Sequence, residues 1–160
     1  MPTKPVERLQ LQEYLPYRLS VAANAVSRLI ARAYEDQLGL TIPQWRVMAV
    51  LGDEGALTQQ SLCGRTLMDK VTVMRAAQGL TRRHLVNRQP NAQDGRSHRL
   101  DLSASGYALY CKVIPLAREY EAQLLLGLQA TEVALLHRLL RQLETAALVN
   151  SEKVQQYRAV

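Results

Sequence analysis

A short polar hairpin interrupts a chain that otherwise patterns as helix, and it limits the folds open to the whole. Residues 87–106 read NRQPNAQDGRSHRLDLSASG, with alternating residues on the far arm and a turn expected at Asp94-Gly95. Strands are therefore expected over 86–91 and 97–102, because Asp-Gly between alternating arms is a strong local hairpin signal. A lone hairpin buries too little to stand by itself, so its neighbours decide what it serves.

Those neighbours are helical. Leu15, Leu19, Ala22, Val26, Leu29 and Ala33 follow a 4-3-4-3-4 spacing, an apolar stripe along one long helix that Gly39 ends. Thr41 and Gln44 form a capping box with Pro43 in the first turn, starting a second helix through Trp45 to Leu51. Residues 52–55 read as a turn. Thr58 caps a short third helix through Leu62 and Arg65, and Asp69 caps a fourth that ends near Arg83. Ser103 caps a fifth running to about Leu128, bent or weakened at Pro115. Thr131 caps a sixth, with Val133, Leu136, Leu140, Leu143 and Ala147 on one face.

Charge is concentrated where the hairpin lies. Residues 58–106 hold Arg65, Lys70, Arg75, Arg82, Arg83, Arg88, Arg96 and Arg99 against Asp69, Asp94 and Asp101, so most of the chain's formal +6 falls in under a third of its length. That is the footprint of a nucleic-acid partner, although a solvated basic face has the same composition. Other classes find no support. With 48% hydrophobic residues the chain is not disordered, and no apolar run is long enough for a bilayer. The opening MPTKPVERLQLQEY has no apolar h-region, so no signal peptide and a cytoplasmic location are expected. Cys63 and Cys111 are too few for a disulfide framework, and Cys63 reads as a structural thiol. His84, His98 and His137 fall on separate elements, so no metal site is expected, nor any cofactor. No nucleophile elbow, glycine-rich phosphate loop or HExxH pair appears, and the carboxylate pairs Glu35-Asp36 and Asp53-Glu54 read as solvated charges. The chain is not expected to be an enzyme.

Two short helices joined tightly inside the basic third have the form of a helix-turn-helix. In the fourth helix Val73, Ala77 and Leu80 fall at i, i+4 and i+7 and should pack inward, leaving Lys70, Val71, Thr72, Met74, Arg75 and Gln78 on the other sides. Arginine reads guanine bidentately, glutamine reads adenine, and an apolar side chain meets a thymine methyl. Arg75 and Gln78 are thus the expected base readers, with Met74 or Val71 against the methyl. Taken alone the helix is also what a solvated amphipathic helix looks like. The hairpin that follows makes it a winged helix-turn-helix, with Arg96 at the wing tip for the minor groove and Asp94 expected to orient its guanidinium. Arg82, Arg83, Arg88 and Arg99 complete the basic field, the first three read as phosphate contacts.

These residues resemble the MarR-type winged-helix transcriptional regulators. LTIPQWRVMAVL (40–51) resembles that family's second helix. Residues 57–106 resemble its helix-turn-helix and wing, with the D-x-R signature as Asp94-Gly95-Arg96 and LSASG following. The resemblance covers nearly the whole chain. It implies a mainly α fold: one domain, residues 1–160, with 40–106 as the winged helix-turn-helix and 9–38 and 107–150 as dimerisation helices. Three positions depart from the pattern. His84 stands where the family has a glycine in the left-handed cap of the recognition helix. Val71 and Met74 replace hydroxyl residues, and Gly79 replaces a long polar one.

The implied function is a homodimeric, DNA-binding repressor of transcription released from a palindromic double-stranded operator by a small molecule. Effectors of that family sit near the first, second and fifth helices. Here Tyr17, Arg18, Ser20 and Asn24, with Trp45 and Arg46, would suit an aromatic carboxylate: walls for the ring, guanidinium for the acid, hydroxyl or amide for a substituent. Trp45 can equally be plain core, and Arg18 and Arg46 can pair with Glu13, Glu119 or Glu121 across a dimer. A dimeric DNA-binding protein without an effector, and a thiol-based oxidant sensor, are the alternative functions.

Overall fold

The structure, a computed structural model, describes residues 8–92 and 94–158, with the side chains of 33, 36, 37, 95 and 152–158 outside that description. The Ala33 end of the apolar stripe, Asp36 of the carboxylate pair and the first seven residues of the opening MPTKPVERLQLQEY therefore lie outside the described residues. The elements are α1 (Leu15–Leu38), α2 (Ile42–Glu54), β1 (Leu57–Thr58), α3 (Gln59–Thr66), α4 (Lys70–Arg82), β2 (Val86–Asn91), β3 (Asp94–Leu102), α5 (Ala104–Leu125) and α6 (Ala130–Arg158). Packing divides the chain into two units, Met1–Tyr120 and Glu121–Val160.

The first unit holds the core and the sheet. Leu40, Val47, Met48 and Leu51 pack with Leu62, Val73, Leu80, Val86, Leu100 and Val113, all at most 5% exposed. Gly39 ends α1 in the left-handed conformation (φ 60°), and the Gly39 and Leu40 N–H groups return to the Glu35 and Tyr34 carbonyls. This closes the helix and drops Leu40 into the core. The part of α1 that packs here is Ala31 and Tyr34, with Ile30 and Leu38 beside them. The expected stripe is largely uncovered: Leu15 is 51% and Leu29 38% exposed. Heptad-like spacing defines an apolar face without saying which chain covers it.

The capping box at Thr41 and Gln44 is present. The turn expected at 52–55 is not; α2 continues to Glu54, and only Gly55 leaves the helix. Gly52 is a packing glycine, since a Cβ there would stand 2.5 Å from the Tyr110 ring. Strand β1 was not legible. Its two residues pair with Leu100 and Arg99, making a three-stranded antiparallel sheet in the order β1-β3-β2.

The hairpin turns earlier than expected. Asn91 already pairs with Asp94, so the reversal falls before Asp94, and Asp94 and Gly95 open β3. The register slips between Pro90 and Asn91, next to the residue that has no N–H to give the ladder. Ser103 caps α5 by accepting the Gly106 N–H at 3.0 Å, and the helix runs unbroken through Pro115 to Leu125, short of Leu128. Gly106 is obligatory for that docking, because a Cβ would collide with the Leu85 carbonyl oxygen.

In the second unit the cap of α6 is Gln129 rather than Thr131. The Gln129 N–H donates to the Glu132 carboxylate at 2.7 Å, and the Gln129 carbonyl receives the Glu132 and Val133 N–H groups. Leu136, Leu140 and Leu143 on the expected face are at least 36% exposed.

Candidate nucleic-acid interface

The reading helix is set by local chemistry at both ends. Thr58 caps α3 by accepting the Ser61 N–H at 3.1 Å, and Thr66 Oγ1 donates to the Leu62 carbonyl at the other end. The chain then turns through Leu67, a non-glycine residue at φ 51°, and Asp69 opens α4. The Asp69 carboxylate accepts the Thr72 N–H at 2.9 Å and the Thr72 hydroxyl at 2.5 Å. These hydrogen bonds hold its pKa below the ordinary carboxylate value. They also commit the Thr72 hydroxyl proton to the cap, so Thr72 can only accept from a DNA group.

Val73, Ala77 and Leu80 are buried as expected, joined by Ala76. Lys70, Val71, Met74, Arg75, Gln78 and Arg82 are all exposed. Gly79 has a structural reason: a Cβ there would stand 2.5 Å from Nε2 of Gln44, the capping-box glutamine. His84 adopts the left-handed conformation at φ 56°, the cap that the missing glycine would have served. Its carbonyl is held by the Ser103 and Ser105 hydroxyls, each at 2.7 Å, which tie the recognition helix to the start of α5.

On the wing, alternation sorts the side chains. Arg96 and His98 share one face of β3, and Arg88 across the ladder meets His98, Nη2 to Nδ1 at 3.1 Å. Arg99 points the other way. Its guanidinium donates to the Ala56 carbonyl beside β1, so it braces the sheet. Asp94 does not orient the Arg96 guanidinium. Its Oδ1 accepts the Arg96 backbone N–H at 3.0 Å, while Asn91, Ser97 and the Asp94 carbonyl form a second hydrogen-bonded chain across the turn. The carboxylate shapes the loop and leaves the guanidinium exposed.

α4 and the wing enclose a cleft of about 710 Å³. It gathers Met74, Gln78, Arg82, Arg88, Asp94 and Arg96 of the expected set, and adds Gln59, Gln60, Thr81 and His98. Strand parity could have found His98, two residues from Arg96. Gln59 and Gln60 carried no signal, because only the fold brings the start of α3 to the wing. Lys70, Val71, Thr72 and Arg75 lie outside the cleft. Arg83, expected at a phosphate, instead donates to the Gly39 carbonyl at 2.6 Å and the Leu38 carbonyl at 2.9 Å, at the end of α1.

The expected effector residues are not gathered into one place. Trp45 is half-buried against the core, its ring 5.8 Å from Tyr34 and 6.0 Å from Tyr110. Arg46 donates to Ser27 Oγ at 3.1 Å. At about 1.5 Å per residue, Tyr17 lies some 15 Å further along α1. Tyr17, Arg18, Ser20 and Asn24 are exposed, and Arg18 donates to Gln12 at 2.9 Å. Tyr34 beside Arg46 has its hydroxyl pKa pushed up by burial and by Glu35, against the opposing pull of Arg46. Among the described residues no cluster of His, Cys, Asp or Glu could hold a metal ion, and no helix is long and apolar enough to cross a membrane.

A helix-turn-helix whose second helix and following basic hairpin open on one cleft defines a winged-helix DNA-binding protein. Residues 38–97 match the family model described as MarR family. The chain is 32% identical over 107 residues to the HTH-type transcriptional repressor NicR of Pseudomonas putida, covering 66% of this chain and 68% of that one. A probable transcriptional regulator from Pseudomonas aeruginosa superposes with a TM-score of 0.73 at 30% identity, over 84% of this chain and 99% of that one. Bordetella bronchiseptica BpsR, whose DNA binding is regulated by 6-hydroxynicotinic acid, superposes with a TM-score of 0.77 at 24% identity, over 86% and 98%. The chain belongs to the MarR family, a family of transcriptional regulators and not of enzymes.

Proposed function

We propose that this chain is a homodimeric repressor that leaves a palindromic operator when a small aromatic acid binds. The carrying observation is the cleft in which Gln78 and Arg82 of α4 face Arg88 and Arg96 of the wing. Arg75 and Gln78 read bases in the major groove, Arg96 enters the minor groove, and Lys70, Arg82 and Arg88 meet phosphates. Dimerisation is supported by the uncovered leucines of α1 and α6, which a second copy would bury. Two recognition helices related by a two-fold axis then address half-sites about one DNA turn apart.

The repressor assignment draws on NicR, and the acid effector on BpsR. Arg18 and Arg46 would receive the carboxylate, with Tyr17, Ser20 and Asn24 around the ring, on surfaces that dimerisation encloses. An effector bound there lowers DNA affinity by its preference for a helix spacing that no longer fits the half-sites.

The test begins with light scattering and selection of an operator from random duplex DNA. Hydroxylated benzoates, cinnamates and pyridine carboxylates are then titrated against the complex. One acid should release the DNA, and Arg18→Ala or Arg46→Ala should abolish that response while DNA binding persists. Arg75→Ala should weaken the operator by about 1–3 kcal/mol and relax its sequence preference. A stable monomer refutes the dimer, and operator binding unchanged in both Arg75→Ala and Arg96→Ala refutes the assignment of the DNA contacts. Indifference to every acid refutes the effector.

A further inference from the structure

The recognition helix carries two apolar side chains on the face that should meet the bases. At about 100° per residue, Val71 lies opposite the buried face of Val73, Ala77 and Leu80, in the first turn of α4. It is 50% exposed, and Met74, one turn on, is 38% exposed. Lys70 and Arg75 flank this edge with cations, which bring it against a polyanion rather than against an apolar protein surface. Neither side chain can exchange hydrogen bonds with a base edge. The apolar group that a base offers in the major groove is the methyl on pyrimidine C5.

We infer that Val71 and Met74 make this protein a reader of pyrimidine C5-methyl groups, for which thymine and 5-methylcytosine are alike and uracil and unmethylated cytosine are both poor. The inference rests on the assignment of α4 as the DNA-reading helix and deepens it. Thymine and 5-methylcytosine carry their methyl at the same ring position and differ at C4, where one presents a carbonyl and the other an amino group. Val71 and Met74 have no donor or acceptor with which to tell those apart. Specificity at these positions is then for the methyl, and the affinity of the protein for DNA responds to cytosine methylation within the half-site.

The experiment uses the full-length protein and an operator selected from random duplex DNA. Each thymine of one half-site is replaced singly by deoxyuridine, which removes only the methyl. At the same positions a C·G pair is compared with a 5-methylcytosine·G pair, which adds only the methyl. Each methyl contact should be worth about fourfold in Kd, the factor that corresponds to about 0.8 kcal/mol. Val71→Ala should erase the dependence at one position and Met74→Ala at another, with melting temperatures verifying that both variants fold. An operator bound equally with thymine and uracil at every position overturns the inference and leaves DNA reading by α4 intact. A methyl effect that survives in both variants also overturns it, since the methyl would then be sensed through DNA shape. Failure to enrich any sequence overturns the DNA-reading assignment as well.

Discussion

Arg82 and Arg83 are adjacent, carry the same charge and are given opposite roles by the fold, which makes them a sharp test. Arg82 lines the cleft between α4 and the wing. Arg83 reaches back 44 residues to the Gly39 carbonyl and 45 to the Leu38 carbonyl, supplying a cation to the end of a helix that has no basic residue in its last turn. A hydrogen bond to a charged group contributes about 1.5–3 kcal/mol. Here the guanidinium is exposed, and ordering an arginine side chain opposes it by up to about 2 kcal/mol. The pair of bonds should therefore be worth a net of about 1–2 kcal/mol, or about 2–8 °C in Tm for a chain of this size. Arg83→Gln should lower Tm by that amount and leave the salt dependence of operator binding unchanged. Arg82→Gln should leave stability within about 0.5 kcal/mol and flatten the plot of log affinity against log salt by about 0.9 per lost phosphate contact, doubled in a dimer. Calorimetry at one fixed protein concentration gives the first quantity, because a dimer's Tm shifts with mass action. Anisotropy of a labelled operator between about 50 and 200 mM salt gives the second. If Arg83→Gln flattens the salt plot as Arg82→Gln does and keeps its Tm, the clamp reading is wrong.

Two further outcomes concern the ends of α4. His84→Gly should raise stability by about 0.5–1 kcal/mol, because relief of the left-handed conformation exceeds the added chain entropy of glycine; a fall in Tm would show that the imidazole makes a stabilising contact. At the other end, the Asp69 carboxyl is held below its ordinary 3.8 by Thr72, so the cap's contribution is complete above that pH and fades as pH falls through the folded value. The Tm gap between wild type and Asp69→Ala should thus narrow on acidification from neutral pH towards 3, and a constant gap would rule out ionisation as the source.

What could be read without coordinates was short-range. The caps at Thr41, Thr58, Asp69 and Ser103 each join a side-chain oxygen to an N–H three residues on, so the chemistry is complete within one turn of chain. The inward face of α4 follows from helical period, and the left-handed His84 from the family resemblance, which puts a cap glycine at that position. Long-range partners decided the rest. Gly52 reads as a turn until the Tyr110 ring, 58 residues away, is seen to occupy the place of its Cβ. Arg83 and Arg99 carry the charge of DNA contacts, yet both are spent on backbone carbonyls more than 40 residues distant in sequence. Trp45 has the ring an effector site would want, and the fold stacks it half-buried between Tyr34 and Tyr110. A side chain's type limits the bonds it can make, and its own few neighbours settle the local ones. Which of the remaining bonds forms depends on what the folded chain brings within about 3 Å of it, and for Arg82, Arg83 and Arg99 only the tertiary arrangement separates the cation that lines the cleft from the two that bond to distant backbone carbonyls.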